Sequence, residues 1–260
     1  MGIGEGKMNR IFSITPGRSG IHYVKALCEH CTKLPDTATP EYFPEPICYE
    51  QYLDNSNTSA VKKELVRSLW SKFPKTFFST SLLTKNGYLE ALADLGARFV
   101  SLRRDTIENA YSWYLMNGHP GQTVKDKTWG RGVAYHPCIE SPYNCLVVND
   151  LEYMSVFQKC LWLVLETKAR AQYIADMGAD VYFVGLEDLN HEHEVIRFFE
   201  WMGIEYDLTN VDRWLWKKIN PLKDSSRDLQ ENPHLDEFDK ELQLRQLSNF
   251  ISVNKGEIRI

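Results

Sequence analysis

The sequence lacks long apolar runs, has few cysteines and carries no excess of positive charge. No apolar stretch approaches the roughly 18 residues that a membrane-spanning helix needs, so we expect no membrane span. Six cysteines in 260 residues are too few for a disulfide scaffold, and segment 1–7 has no signal-peptide core, so we expect a cytoplasmic, reducing location. The net charge of −5 offers no overall attraction for nucleic acid or an anionic membrane. An anion site must therefore be local.

Two short motifs invite a metal interpretation that their spacing does not favour. Cys28 and Cys31 fall inside a predicted helix, and no second Cys or His pair follows at a zinc-binding distance, so we expect both thiols in the core or near it. His191 and His193 are two positions apart on a helix predicted to begin after an Asn190 N-cap, and should point apart. We therefore predict no metal.

Apolar, β-rich runs alternate with amphipathic helical patterns along most of the chain. The predicted strands cover residues 10–15, 75–81, 97–104 and 180–189, and the predicted helices cover 21–31, 59–72, 84–96, 106–115, 151–177 and 191–203. This alternation is typical of a three-layer α/β/α fold with a central, mainly parallel sheet. Because 43% of the residues are apolar and no linker is evident, residues 1–260 form one predicted domain. Residues 117–149, rich in Gly, Pro and polar groups, are a candidate lid or insertion.

A Gly-containing loop joins the first predicted strand to the first predicted helix. The N–H groups and dipole of a helix N-terminus favour an anion, and Arg18 adds a guanidinium that matches two anionic oxygens. Ser19 adds a hydroxyl donor, while Gly17 and Gly20 allow the backbone to curl and approach closely. The loop is not a Walker A motif, since the Gly-Lys-Ser/Thr ending is missing.

A second candidate anion-binding segment follows the third predicted strand. That strand ends in Arg103 and Arg104, and Ser112 comes about two helical turns later. Asp105 is predicted to cap the intervening helix, with Glu108 at the N3 position. In parallel sheets, ligands bind at the carboxyl ends of the strands, so we expect Arg104 and Ser112 to lie beside the first loop.

The order of these motifs resembles the sulfotransferases that use 3′-phosphoadenosine 5′-phosphosulfate (PAPS). "PGRSGIH" at 16–22 resembles their phosphosulfate loop, the Arg104–Ser112 spacing resembles their 3′-phosphate site, and "LEDL" at 186–189 is similar to a later strand end. The resemblance implies a P-loop NTPase-like fold, PAPS as co-substrate and no metal. The cofactor-binding residues that it implies are Gly17, Arg18, Ser19, Gly20, Ile21, His22, Tyr23, Arg104 and Ser112.

The sequence departs from the family at several of these positions. Ile21 and His22 stand where the family has two threonines, and Leu186 replaces a tyrosine. Phe77 occupies the place of a catalytic histidine used by cytosolic-type members, and it cannot accept a proton. Other branches use a glutamate after the first loop. By similarity to them we expect Glu45, in "FPEP", to be the general base, with Glu41 second and Glu50 a further candidate.

The resemblance also implies roles in the transfer. Arg18 would neutralise the leaving 5′-phosphate, and Lys75 would contact the transferring group. Tyr23 would stack on adenine. The acceptor would be the hydroxyl of a small molecule or sugar, in a pocket for which the lid offers Trp129, Arg131, His136 and Tyr143.

Two alternatives stay open at this point. One is a P-loop-like nucleotide kinase, for which Glu187 and Asp188 are the nearest candidates to hold a magnesium ion. The other is a catalytically inactive nucleotide-binding module, in keeping with Ile21 and Phe77. The oligomeric state also stays open, a homo-oligomer included.

Overall fold

The computed structural model describes residues 10–17, 19–32, 64, 77–79, 88–115, 144–216 and 234–253. Its strands are β1 (Ile11–Ile14), β2 (Phe77–Ser79), β3 (Arg98–Arg103), β4 (Leu146–Val148), β5 (Val181–Gly185) and β6 (Ile251–Val253). Its helices are α1 (Ile21–Cys31), α2 (Tyr88–Asp94), α3 (Thr106–Leu115), α4 (Val156–Asp176), α5 (Glu192–Met202), α6 (Leu208–Trp216) and α7 (Glu237–Leu247). In this part of the chain, no helix is both long and apolar enough to span a bilayer.

The principal sheet has four strands in the order β2-β1-β3-β5, and every pair in it is parallel. The prediction of a mixed α/β chain with a parallel sheet is therefore confirmed. The chain passes from β1 to β2 on one side and then returns to place β3 on the other side of β1. Such a reversal of strand order leaves a crevice at the carboxyl ends of the two central strands.

Residues that alternate along the strands pack against different helices. Ile11, Val100 and Val184 belong to a cluster that includes buried residues of α1, α5 and α6. Phe12 and Phe99, one position away on β1 and β3, belong to a second cluster, with buried residues of α2 and α4. The two-residue period of a strand thus places helices against both faces of the sheet. This explains why these strands are apolar almost throughout.

The helix predicted over 151–177 is interrupted near its start. Residues Leu151–Tyr153 form a 3₁₀ turn, and α4 begins only at Val156. Ser155 is the N-cap. Its hydroxyl accepts a hydrogen bond from the Gln158 N–H at 3.1 Å, while the Gln158 side chain accepts one from the Ser155 N–H at 2.9 Å. This Ser-x-x-Gln capping box is readable in the sequence and sets the true start of the helix.

A small antiparallel pair of strands, β4 and β6, was not predicted. Residues 144–148 are all buried, so this end of the candidate lid 117–149 is a strand of the packed domain. The fully buried Glu166 of α4 accepts hydrogen bonds from the N–H groups of Cys145 and Leu146, at 2.9 and 2.6 Å. Arg170 pairs with Glu166 at 2.5 Å and donates to Asn144 at 2.8 Å. Residues 116–143 lie outside the described part of the chain.

Candidate functional site

The loop between β1 and α1 curls back on itself around one buried hydroxyl. Thr15 Oγ1 accepts a hydrogen bond from the Gly17 N–H at 3.1 Å and also contacts the Ser19 hydroxyl. Thr15 and Ser19 are fully buried. Gly17 and Gly20 have φ angles of 83° and 94°, a left-handed conformation that side chains disfavour. The glycines therefore provide the curl that the sequence predicts.

Among the described residues, no side chain caps the N-terminus of α1. Its N-cap is Gly20, no side-chain cap is present, and its first turn contains no acidic residue. The Tyr23 and Val24 N–H groups bond to the Gly20 carbonyl at 2.9 and 3.1 Å. The N–H groups of Ile21 and His22 have no acceptor within the helix, as at every helix start. The positive end of α1 thus follows the carboxyl end of β1 directly.

The loop is held between the segments that follow β3 and β5. A Cβ added to Gly17 would lie 2.7 Å from Cζ2 of Trp113, on the helix after β3. A Cβ added to Gly20 would overlap the side chain of Leu186, directly after β5. Leu186 in turn donates its N–H to the Arg103 carbonyl at 2.7 Å. The segments following β1, β3 and β5 therefore meet at one edge of the sheet.

The second predicted segment forms the start of α3. Asp105 is the cap, as predicted, because its Oδ1 accepts a hydrogen bond from the Glu108 N–H at 2.9 Å. The Glu108 carboxylate lies 3.6 Å from Nη2 of Arg104, an ion pair exposed to solvent. Ser112 lies one turn beyond Glu108 on the same helix face and immediately precedes Trp113, which contacts the loop. Ser112 is therefore the sequence neighbour of Trp113, the residue that contacts the loop.

Further cationic groups lie near the end of β3. The Arg103 guanidinium stacks 4.1 Å from the centre of the Phe183 ring. Lys168, on α4, donates from Nζ to the Thr106 hydroxyl at 2.6 Å. Burial lowers the pKa of Lys168, with the Asp105 carboxylate opposing this and the Arg103 charge adding to it. These groups add positive charge where Arg104 leaves the sheet.

Two predicted cofactor-binding residues face the core. The Ile21 and Tyr23 side chains pack against the apolar cluster that contains α1 and α5. The Tyr23 hydroxyl donates to the Leu189 carbonyl at 3.1 Å. Ile21 therefore offers a ligand its backbone. The proposed stacking of Tyr23 on adenine stays a prediction.

Several predicted residues lie outside the described part of the chain. They are Arg18, Glu41, Glu45, Glu50, Lys75, Trp129, Arg131, His136 and Tyr143; for His22 only the backbone is described. The role expected for Lys75 stays a prediction.

Two pairs of residues, Cys28 with Cys31 and His191 with His193, have a spacing that invites a metal or redox interpretation. Cys28 and Cys31 are buried free thiols in the core, as predicted, and burial raises the pKa of each to about 12. The N-cap of α5 is His191 and not Asn190, which corrects one expectation. As a result, the His191 and His193 rings stack 5.8 Å apart instead of pointing apart. Among the described residues, no group of three potential ligands surrounds a metal position.

Asp188, a candidate magnesium ligand in the kinase alternative, takes part in its own turn. Its Oδ2 accepts a hydrogen bond from the Gly185 N–H at 3.0 Å. A Cβ at Gly185 would lie 2.5 Å from the same oxygen. The carboxylate thus closes the turn after β5, which is a structural role.

Sequence reasoning missed three residues that shape this edge of the sheet: Thr15, Lys168 and Trp113. Thr15 directly precedes the loop, and its hydroxyl could have been recognised as a local acceptor for the turn. Lys168 and Trp113 come from helices whose rotation about their axes the sequence does not fix. Only their packing shows that they approach the end of β3 and the loop.

No family model matches the chain, and no significant match exists among the curated proteins or the solved structures. The function must therefore be inferred from the chain's own residues.

Proposed function

We propose that this protein is a sulfotransferase that moves a sulfuryl group from PAPS to a hydroxyl of a small-molecule or carbohydrate acceptor. One observation carries the proposal. The loop after β1 contacts Trp113 of α3 and Leu186 after β5, and these three segments carry the three sequence motifs. The proposal includes a three-layer, P-loop NTPase-like fold, which the helices on both faces of the sheet support.

The ligand has two anionic ends, and the edge of the sheet offers two places for them. The uncapped N-terminus of α1, with Gly17 and Gly20, suits the 5′-phosphosulfate. Arg104 and Ser112 suit the 3′-phosphate, because both follow β3, the strand next to β1. A ligand with one phosphate would use only half of this arrangement.

In the proposed reaction the acceptor oxygen forms a bond to sulfur while the bond from sulfur to the 5′-phosphate oxygen breaks. Charge develops on the leaving phosphate, and Arg18 with the first N–H groups of α1 stabilises it. Glu45, or in second place Glu41, takes the proton of the acceptor hydroxyl, a role worth about 10²–10⁴-fold in rate. The products are a sulfate ester and adenosine 3′,5′-bisphosphate, and the step requires no metal.

Ligand-induced stabilisation tests the class of nucleotide. A ligand that binds only the native state raises the unfolding temperature by mass action. We expect adenosine 3′,5′-bisphosphate to raise Tm and ATP with Mg²⁺ to leave it unchanged. The reverse result would favour the nucleotide kinase and reject the sulfotransferase.

The Glu45→Gln variant separates the enzyme from an inactive nucleotide-binding module. Wild-type protein is first screened with labelled PAPS against a panel of sugar and phenolic hydroxyl acceptors. We expect Glu45→Gln to keep the stabilisation by the bisphosphate and to lose turnover, with Glu241→Gln, at an exposed position on α7, as the matched control that stays active. Bisphosphate binding without turnover on any acceptor would favour the inactive module, and an active Glu45→Gln enzyme would reject the base assignment.

A further inference from the structure

Helix α3 carries two buried polar atoms that have no hydrogen-bond partner among the described residues. They are Oδ1 of Asn109, a residue only 1% exposed, and Nε1 of Trp113. Nearly all buried polar groups in folded proteins are hydrogen-bonded, because an unpaired one loses its water without compensation. Two such atoms on one short helix therefore indicate that something else pairs with them.

Trp113 links α3 to the loop between β1 and α1. Cε2 of Trp113, to which Nε1 is bonded, lies 3.6 Å from the Cβ position that a side chain at Gly17 would have. The indole also packs against the core cluster that includes Phe157 of α4, so it lies between that core and the loop. Asn109 is one helical turn before Trp113 on the same face of α3.

We infer that Trp113 and Asn109 recognise the bound nucleotide. An indole N–H can only donate, and a phosphate oxygen can only accept, so Nε1 of Trp113 is suited to an oxygen of the phosphate held by the loop. It supplies a donor at a loop where Ile21 brings no hydroxyl. Oδ1 of Asn109 is an acceptor and suits a hydroxyl or amino group of the nucleoside. This inference rests on the proposed function.

The Trp113→Phe variant removes the donor together with the edge of the indole that contacts Gly17. Removing a hydrogen bond to a charged group should weaken binding of adenosine 3′,5′-bisphosphate about 10- to 100-fold by calorimetric titration. The ligand-free protein should lose no more Tm than the matched control, because removal of a buried unpaired donor offsets part of the lost packing. The matched control is Trp201→Phe, whose indole N–H donates to Asp180 at 3.0 Å. The control should lose some stability and keep its affinity.

Inorganic pyrophosphate separates the two roles, because it is an anion without a nucleoside. Trp113→Phe should weaken binding of pyrophosphate and of the bisphosphate by similar factors. Asn109→Leu, which preserves the side-chain size, should weaken only binding of the bisphosphate. Equal affinities of the wild type and Trp113→Phe for the bisphosphate would overturn the inference and leave the proposed function intact. So would a loss of affinity accompanied by a fall in ligand-free Tm larger than that of Trp201→Phe, which would mark Trp113 as structural.

Failure of the proposed function gives a different result. If wild-type protein binds no adenosine 3′,5′-bisphosphate, the nucleotide assignment is rejected, and the role of Asn109 with it. Pyrophosphate binding that is still sensitive to Trp113→Phe would then support the anion contact alone. Wild-type protein that binds neither ligand would reject both.

Discussion

The start of α1 and the start of α4 meet the same physical requirement in opposite ways. Every helix begins with N–H groups that lack partners within the helix. At α4, Ser155 and Gln158 satisfy two donors through reciprocal hydrogen bonds. At α1, the cap is Gly20, which has no side chain to offer. The start of α4 is closed by its own side chains, whereas the described residues provide no side-chain cap at the start of α1.

The interior shows the same contrast. Glu166 accepts hydrogen bonds from two backbone N–H groups and from Arg170, so this buried charge is paired on several sides. Oδ1 of Asn109 and Nε1 of Trp113, on the neighbouring helix, have no partner within the described residues. Paired polar groups thus hold β4 on α4, whereas the unpaired ones lie on α3, the helix whose Trp113 contacts the loop. Four substitutions test this division.

The largest effect is expected at Glu166. Glu166→Ala removes the partner of a buried guanidinium and should lower the free energy of unfolding by about 3–5 kcal/mol. Denaturant unfolding followed by circular dichroism measures it. A double variant, Glu166→Leu with Arg170→Met, removes both charges and should recover only the part of the loss due to the unpaired guanidinium, because the Cys145 and Leu146 N–H groups still lose their acceptor. A cost below about 1 kcal/mol for the single variant would mean that this pair does not anchor β4.

The next effect is expected at Gly20. Gly20→Ala combines a left-handed φ of 94° with overlap against Leu186, for an expected loss of about 2–4 kcal/mol. Gly178→Ala is the matched control, since its φ is 93° but no atom lies within 4 Å of the added Cβ. It should cost only about 1–2 kcal/mol. Adding Leu186→Ala to Gly20→Ala should remove the overlap and keep the strain. Equal losses of stability in Gly20→Ala and Gly178→Ala would argue against a close contact between Gly20 and Leu186.

A smaller effect is expected at the closed helix start. Ser155→Ala removes the cap of α4 and should cost about 1 kcal/mol in the free energy of unfolding. Affinity for adenosine 3′,5′-bisphosphate should not change, because this cap serves the fold alone. Titration of the variant with the bisphosphate checks this, and a large loss of affinity would remove the distinction between the two helix starts.

The smallest effect on stability is expected at Glu108. Glu108→Gln breaks a solvent-exposed pair and should change the free energy of unfolding by less than about 0.5 kcal/mol. If Arg104 binds a phosphate, removing the competing carboxylate should tighten bisphosphate binding by about twofold to fivefold at low salt. Glu241→Gln, which breaks the exposed pair of Glu241 with Arg245 on α7, should alter neither quantity. Unchanged or weaker binding by Glu108→Gln would argue against the assignment of Arg104.

Periodicity and local chemistry predicted much of the fold. The apolar centre of β3, the Asp105 cap and the glycine turn before α1 are local signals, and all of them are found. The short strands β4 and β6 pair across a long stretch of chain and leave no local pattern. The buried position of Glu166 was equally hidden, because its partners are backbone N–H groups that any sequence contains.

The sequence predicted the loop of the candidate site but not the residues that pack around this loop. Glycines, a serine and charged strand ends can be read directly from the sequence. The contact of Trp113 with Gly17 depends on how α3 rotates against the sheet, which side-chain packing decides. The stacking of His191 on His193 depends on a helix that starts one residue later than its sequence suggests.

Leu186 connects the loop between β1 and α1 to the carboxyl end of β3. Its side chain touches Gly20, while its amide is bonded to the Arg103 carbonyl. Occupation of the loop should therefore slow hydrogen–deuterium exchange at this amide, although Leu186 itself lies outside the proposed ligand contacts. Measured by mass spectrometry, such protection would make one leucine a built-in reporter of occupancy.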